Sequence, residues 1–542
     1  MSAPLHPSAT LLASRLTLAR GDQLVLDDVA LTVAPRDRIG VVGANGVGKS
    51  TLLGVLGGSI RPDQGAVRLD PPAATVGLLA QEHAHAPGES VRALLARLTG
   101  VAGAETELME AARSLERDEP VADHRYAVAL DRFVALSDGD LDARIDAALE
   151  DLGVGGIGDH DAATLSGGQS AKVALAAIVL SRFDLTLLDE PTNDLDFNGL
   201  DRLSAFVETR AGGVVVVSHD RDFLRRTVTD VFELGEHDHR GRRFGGGWDA
   251  YLAQRETDRR HAEEAFRSSE AQRAELKARA GRERDWATHG VARERRQRDH
   301  DKTQRDFRIN RTEQLASRAR RTQRALEALE VVEKPWEGWQ LNFRIEQAAR
   351  AGAVVARLSD AVVERGDFRL GPVDLEIGWA ERVGVVGPNG SGKSTLVAAL
   401  LGRVPLTVGE RWMGPSVVVG ELGQDRSGIG SGDSIVARIT AAGMTSTEAR
   451  ALLAKFGLRA DQVGRPSASL SPGERTRAEL ARFQGIGVNF LVLDEPTNHL
   501  DLPAIEQLES ALEHFEGTLL LVSHDRQLLD AVELHRTIEL GP

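Results

Sequence analysis

Short apolar runs, each closed by a small or charged residue, recur through a chain that is otherwise strongly polar. RIGVVG at 38–43, LTLLDE at 185–190 and VVVVS at 214–218 are runs of this kind, and RVGVVG at 382–387, FLVLDE at 490–495 and LLLVS at 519–523 repeat them. Apolar residues in succession, without alternation, read as strands buried on both faces of a sheet. The first run of each set passes through a glycine-rich loop into a helical stretch, TLLGVL at 51–56 in the first case. The expected fold class is α/β, with helices following buried strands. The longest apolar runs, such as GTLLLVSHD, fall far short of the roughly 20 residues that span a bilayer, so no transmembrane segment is expected.

The pattern is duplicated in spacing as well as in kind. The Asp that ends one apolar run lies 30 positions before a His in both halves, Asp189 to His219 and Asp494 to His524. The Ser of LSGGQ or LSPGE lies 23 positions before that Asp in both. Two copies of one domain are therefore expected, the first in residues 1–247 and the second in 336–542. One interval differs: Gln81 to Ser166 is 85 positions, but Gln424 to Ser471 is 47. The first copy thus carries about 38 further residues, placed near 95–140, where VRALLARLTGVAGAETELMEAARSLERDEP is rich in Ala, Leu and Glu. This stretch predicts an added helical hairpin, or else a longer helical subdomain with no partner.

Between the copies, residues 248–335 are rich in Arg, Glu, Gln and Ala and poor in core-forming side chains. Two helices joined by a turn around Trp286–Gly290 are expected there, each of about 35 residues and roughly 50 Å long. Pro335 ends the segment. Composition sharpens the contrast between linker and copies. The chain has a formal net charge of −15, yet 251–334 holds 22 basic and 16 acidic residues. The densest basic run, WATHGVARERRQRDHDKTQRDFRINR at 286–311, has seven Arg and one Lys against four acids. There is no Cys among the 542 residues, which excludes disulfides and thiolate metal sites and fits a reducing cytoplasm. The first residues, MSAPLHPSATLLASRLTLAR, lack the charged start and apolar core of a secretory signal.

The duplicated loops carry phosphate chemistry. Gly43, Asn45, Gly46 and Gly48 precede Lys49, Ser50 and Thr51, between a buried strand and a helix start. Gly387, Asn389, Gly390 and Gly392 stand in the same relation to Lys393, Ser394 and Thr395. The glycines let backbone N–H groups approach phosphate oxygens, and the helix start adds positive potential. Lys49 and Lys393 are placed to reach the β- and γ-phosphates, and the Ser50 and Ser394 hydroxyls to ligate Mg²⁺. Asp189 and Asp494, at strand ends, are candidates to hold Mg²⁺ through water. Glu190 and Glu495 are candidates to orient and polarise an attacking water, since phosphoryl transfer depends above all on positioning and charge stabilisation. His219 and His524 are candidates to touch the γ-phosphate.

Taken together, these residues resemble the ATP-binding-cassette ATPases, over some 450 of the 542 residues. The resemblance implies two ATP molecules, with Mg²⁺, sandwiched between the copies, each facing the signature of the other. Site one would pair Lys49, Ser50, Gln81, Asp189, Glu190 and His219 with Ser471, Pro472, Gly473 and Glu474. Site two would pair Lys393, Ser394, Gln424, Asp494, Glu495 and His524 with Ser166, Gly167, Gly168 and Gln169. Gln81 and Gln424 are implied as further metal ligands. Two departures stand out. Pro472 replaces a glycine and removes a backbone donor, and Glu474 replaces Gln. Where the family stacks adenine on an aromatic, Arg20 and Arg365 stand, with Phe368 an alternative.

Three functions suit two cassettes without a membrane span: the ATPase pair of a transporter, a DNA-repair or chromosome ATPase, and the soluble ABC-F class. The layout of cassette, charged helical linker of about 80 residues and cassette looks like ABC-F, a class associated with ribosomes. A solvated charged helix is the plainer reading of the linker. Beside two cassettes, a basic projecting element suits polyanionic RNA, through Arg293, Arg295, Arg296, Arg298, Lys302, Arg305 and Arg308. The expectation is a cytoplasmic, ribosome-associated monomer with intramolecular cassette pairing. ATP closure would set the linker against rRNA or tRNA near the peptidyl-transferase region. A role in ribosome protection against macrolide- or lincosamide-type antibiotics is expected over one in translational regulation. The competing function is the ATP-binding subunit of an exporter with separately made membrane domains.

Overall fold

Both repeats build the same two-layer frame. The computed structural model describes residues 8–79, 86–117, 119–137, 139–296, 317, 320–322, 324–325, 328, 352–366, 368–423, 433–498 and 500–541, except for the side chains of 283–296 and 472. In the first cassette six strands lie in the order Val76–Leu79, Leu185–Asp189, Val214–Val217, Arg38–Val42, Asp230–Leu234 and Gly241–Gly245. All neighbours are parallel until the last, which is antiparallel. The second cassette repeats five of them, Val419–Leu422, Phe490–Asp494, Thr518–Val522, Arg382–Val386 and Arg536–Glu539, all parallel. The valines of Val214–Val217 are wholly buried, as continuous apolar runs require.

A three-stranded antiparallel sheet covers each parallel sheet: Thr10–Arg20 between Gln23–Val33 and Gln64–Asp70, and Val354–Arg365 between Phe368–Gly378 and Val408–Met413. One core in each copy joins this sheet to the buried strands and the helix after the phosphate loop, as with Leu16, Leu31, Ile39, Leu52 and Val215. Leu358, Leu375, Val383, Leu396 and Val522 do the same in the second.

The extra segment of the first cassette forms two paired helices, Val101–Glu116 and Ala122–Ser137. Val101, Ala104 and Leu136 pack with Phe183, and Arg132 pairs with Glu107 at 3.1 Å. Met109, Val121, Val128 and Val134 stay exposed.

The chain divides into two compact units, Met1–Ala250 with Trp339–Pro542, and Tyr251–Gly338. The two cassettes thus form one unit. The turn expected at Trp286–Gly290 is absent: one helix, Gly247–Arg296, runs for 50 residues through it, and most of the expected second arm lies outside the described residues. At 1.5 Å per residue this helix is roughly 75 Å long. One interior glycine costs only about 1 kcal/mol against alanine. No proline falls between 248 and 334 to stop the helix. Pairs such as Arg259–Glu263, 3.1 Å apart one turn on, line the helix.

Candidate functional site: two nucleotide sites between the cassettes

Each phosphate loop is a strand end turned into a helix start. Gly48 and Gly392 cap the helices Lys49–Leu56 and Lys393–Leu400 in the left-handed region, at φ 116° and 95°. A Cβ on Gly48 would stand 2.6 Å from Val25, so the loop admits only glycine there. Lys49 Nζ donates to the carbonyls of Gly43 at 2.8 Å and Ala44 at 3.3 Å. Lys393 Nζ donates likewise to Gly387 at 2.8 Å and Pro388 at 3.1 Å. Both ammonium groups have their pKa lowered, chiefly by burial, with Glu190 and Glu495 pulling the other way. Thr51 is buried beside Lys49, and Thr395 lines site two.

The acidic strand ends meet these loops. Asp189 shares a side-chain hydrogen bond with Ser50, and Asp494 with Ser394, while burial raises both carboxyl groups. The next residue, Glu190 or Glu495, has φ of 49° or 48°, an unusual value for a side chain of this size. Burial raises Glu190 to about 7 and Glu495 to about 8, against the pull of Lys49 and Lys393. His219 Nε2 lies 3.2 Å from Glu190 Oε1, and His524 Nε2 lies 3.5 Å from Glu495 Oε1. Neither approach is aligned as a hydrogen bond. Burial holds His219 well below its ordinary value and His524 at about 4, so both rings are neutral near pH 7.

Asp189 Oδ1, Glu190 Oε2, Asp494 Oδ1, Glu495 Oε1 and both ring nitrogens of His524 are buried without a hydrogen-bond partner among the described residues. Buried polar atoms ordinarily have partners, so these point to a polar ligand. A carboxylate beside a serine hydroxyl supplies hard oxygens of the kind Mg²⁺ takes, with substrate phosphates completing its shell. No cluster of three or more His, Asp or Glu suited to a metal occurs among the described residues.

Site two is a cavity of about 700 Å³ between the cassettes. Asn389, Gly390, Lys393 and Ser394 line it from the second cassette, facing Gly167 and Gly168 of the first. A Cβ on Gly168 would sit 3.5 Å from the Asn389 side chain, so this signature glycine meets the opposite phosphate loop. Ser166 and Gln169 form a capping box at the start of helix Gly167–Leu180, with Ser166 N–H donating to Gln169 Oε1 at 3.0 Å. Ser471 and Glu474 form the same box on helix Pro472–Gly485, where Ser471 N–H donates to Glu474 Oε2 at 2.7 Å. The two departures in this signature therefore keep the helix start intact: Glu replaces Gln in the box, and proline at the first helical position gives up an N–H that has no intrahelical partner. Gly473, inside that helix, sits against Ala504 and Asp501 of its own cassette.

Of the two residues weighed for the base, Phe368 lines the cavity of site two and Arg365 does not. The Phe368 ring lies 2.9 Å from where a Cβ on Gly392 would be. Arg365 and Phe368 are cross-strand partners at the hairpin, as are Arg20 and Gln23 in the first cassette. Gln23 therefore stands in site one where Phe368 stands in site two.

Two aspartates that motif reading leaves unassigned hold the cassettes together. Asp196 Oδ2 accepts from Asn389 N–H at 3.0 Å, and Asp501 Oδ2 accepts from Asn45 N–H at 2.9 Å. Asn389 Nδ2 also donates to the Asp194 carbonyl at 2.6 Å. The repeat of NDLD in NHLD, just after each catalytic candidate, was the available signal. Gln81, Gln424, Arg298, Lys302, Arg305 and Arg308 lie outside the described residues, and Arg293, Arg295 and Arg296 are described only as positions on the long helix.

Comparison with known proteins fits this geometry. The family model described as ABC transporter matches residues 26–193 and 370–498. The tylosin resistance ATP-binding protein TlrC of Streptomyces fradiae is 35% identical over 564 residues, covering 96% of each chain. The energy-dependent translational throttle protein EttA of Mycobacterium tuberculosis is 32% identical over 539 residues, covering 95% of this chain and 89% of that one. Among solved structures, RNase-L Inhibitor superposes with a TM-score of 0.54 at 20% identity, over 97% of this chain and 87% of that one, a likeness of fold alone.

Proposed function

Since this chain belongs to the ABC-F family of tandem ATP-binding-cassette ATPases, we propose that it acts on the ribosome in a cycle of ATP-driven cassette closure and hydrolytic opening. The observation that carries the reading is the pair of reciprocal bonds from Asp196 and Asp501 to the opposite phosphate loops, around a cavity of nucleotide size.

In each site the chain's own groups divide the work. Lys49 or Lys393 neutralises phosphate charge, and the backbone N–H groups of the loop cradle phosphate oxygens. Ser50 with Asp189, or Ser394 with Asp494, would hold Mg²⁺, which supplies charge stabilisation to the β- and γ-phosphates when bound. Gln81 and Gln424 are assigned to the same cation on family grounds. Glu190 or Glu495 orients the attacking water, and His219 or His524 faces the γ-phosphate beside it. Phe368 stacks on the adenine of site two. Both sites hydrolyse in this reading.

The basic linker supplies the contact with rRNA or tRNA near the peptidyl-transferase region. Arg293, Arg295, Arg296, Arg298, Lys302, Arg305 and Arg308 give it an affinity set by phosphate contacts. A relative named for tylosin resistance and another named as a translational throttle support a ribosomal site of action in the cytoplasm. Of the two, we favour ribosome protection against macrolide- or lincosamide-type antibiotics.

The test is co-sedimentation of the E190Q/E495Q chain with 70S ribosomes, with and without ATP, at physiological salt. ATP-dependent binding, followed by drug displacement from the ribosome, supports the reading. Intact ATP affinity without ribosome binding would return the chain to the exporter alternative. No helix among the described residues is long and apolar enough to cross a membrane, so that role needs separate membrane subunits.

A further inference from the structure

Phe197 belongs to the first cassette, yet its ring lies against the second. It follows Asp196 and opens the helix Phe197–Thr209. Its ring centroid is 5.2 Å from that of His524, with the planes at 81°, an edge-to-face contact. The Arg526 guanidinium stands 5.0 Å over the same ring. Both ring nitrogens of His524 are buried without a hydrogen-bond partner among the described residues, and its Nε2 approach to Glu495 is 3.5 Å and unaligned. Among the described residues the edge-to-face contact with Phe197 is thus a directional contact that bears on the rotation of this imidazole, beside any bond that a bound phosphate supplies.

We infer that Phe197 is a positioning residue for His524, through which the first cassette sets the hydrolytic competence of site two. The inference rests on reading Glu495 and His524 as the hydrolytic pair of that site. Asp194 and Asp196, within three residues of Phe197, bind Asn389 of the same site. Closure that seats these residues on the phosphate loop brings the aromatic ring to His524 in the same movement. The segment also follows Glu190 of site one directly, so a shift at Glu190 reaches His524 through seven residues of chain. The arrangement is one-sided, because Leu502 takes the matching place after Asp501.

Steady-state ATP hydrolysis by the full chain tests this in two backgrounds: E190Q, where site two alone turns over, and E495Q, where site one alone does. F197L keeps apolar bulk and copies the residue at 502, and F197Y keeps the ring. In the E190Q background F197L is expected to lower kcat about 10-fold with KM for ATP within about 2-fold, the signature of an interaction made in the transition state. F197Y should restore turnover to within about 3-fold of Phe197, by keeping the aromatic ring. In the E495Q background F197L should change turnover less than about 2-fold, since site one has no such ring. Equal loss in both backgrounds, loss confined to KM, or F197Y as impaired as F197L would reduce Phe197 to interface packing and overturn the inference. Should F197L melt early, a tyrosine that restores the melting temperature but not turnover overturns it as well. If E495Q leaves hydrolysis untouched, or E190Q alone abolishes it, the assignment of Glu495 fails and the role of Phe197 fails with it.

Discussion

Asp501 accepts a hydrogen bond from the backbone N–H of Asn45 at 2.9 Å, across 456 residues of chain. Its other oxygen caps its own helix, taking the Ala504 N–H at 3.1 Å. Asp196 does both jobs in mirror image, to Asn389 at 3.0 Å and Gly199 at 2.9 Å. One carboxylate thus ties a helix start in one cassette to a phosphate loop in the other. Asparagine has a single acceptor oxygen and can serve only one of the two. D501N should therefore keep the cap, and with it the melting temperature, while ATP hydrolysis falls several-fold through weaker closure. D501A should lose both, with about 1 kcal/mol of stability gone with the cap. Thermal melts beside steady-state ATPase assays separate the two effects.

Arg221 makes a two-pronged ion pair with Glu509 across the interface, one prong at 2.9 Å, with side chains only 11% and 16% exposed. Removing Glu509 leaves the buried Arg221 charge to the weaker pull of Asp525 at 4.0 Å, at up to about 3 kcal/mol. E509A should lower the urea midpoint accordingly, while R221M/E509M should recover most of the loss. Ser204 holds the place of Glu509 in the first cassette, so an S204A change should cost far less.

Phe368 against Gly392 gives site two an aromatic wall, where site one has Gln23. Stacking of this kind contributes about 1 kcal/mol. F368A should raise KM for ATP about 5-fold in the E190Q background and leave it unchanged in E495Q. Q23F should do the reverse, tightening site one. Competition between ATP and GTP in each background reads the same wall.

Asp220 caps the helix Arg221–Thr227 and is raised to about 6 by burial, with Asp525 and Asp222 adding repulsion and the Phe223 N–H pulling down. A carboxyl raised in the folded state contributes most below its unfolded value, and the contribution is lost as pH rises through 6. Lowering pH from 7.5 to 5.5 should therefore add about 1 kcal/mol from this group. D220N keeps the cap and removes the charge. The difference in urea stability between the two chains should shrink as pH falls; a constant difference would rule the assignment out.

The two buried sheets, the phosphate loops and the carboxylates at strand ends were legible in the sequence because each is a local pattern: an apolar run, a glycine spacing, a charged closure. The exposed pair of helices in the first cassette was legible as a surplus in one interval. What escaped depends on distant partners. Asp196 and Asp501 look like helix caps until the opposite loop is seen beside them. Phe197 passes for a plain apolar residue because Leu502 is its counterpart. Arg365 and Phe368 are adjacent on one hairpin, and only the path of the chain shows which side chain meets Gly392. Gly290 suggested a break in the linker, but an interior glycine costs only about 1 kcal/mol and, with no proline beside it, does not end a helix.

Having both cassettes in a single chain changes how the bonds at Asp196 and Asp501 form. Partners on separate molecules would meet at a rate that falls with dilution, whereas tethered ones meet at an effective concentration that the chain itself sets. In the proposed cycle closure is unimolecular, so its rate and its dependence on ATP should hold from micromolar stocks to the scarcity of a minor cellular protein. Fusion also frees the halves from symmetry. A homodimer must place the same residue at 197 and 502, at 23 and 368, and at 204 and 509, whereas this chain can let one nucleotide site drift in affinity and rate while the other stays put.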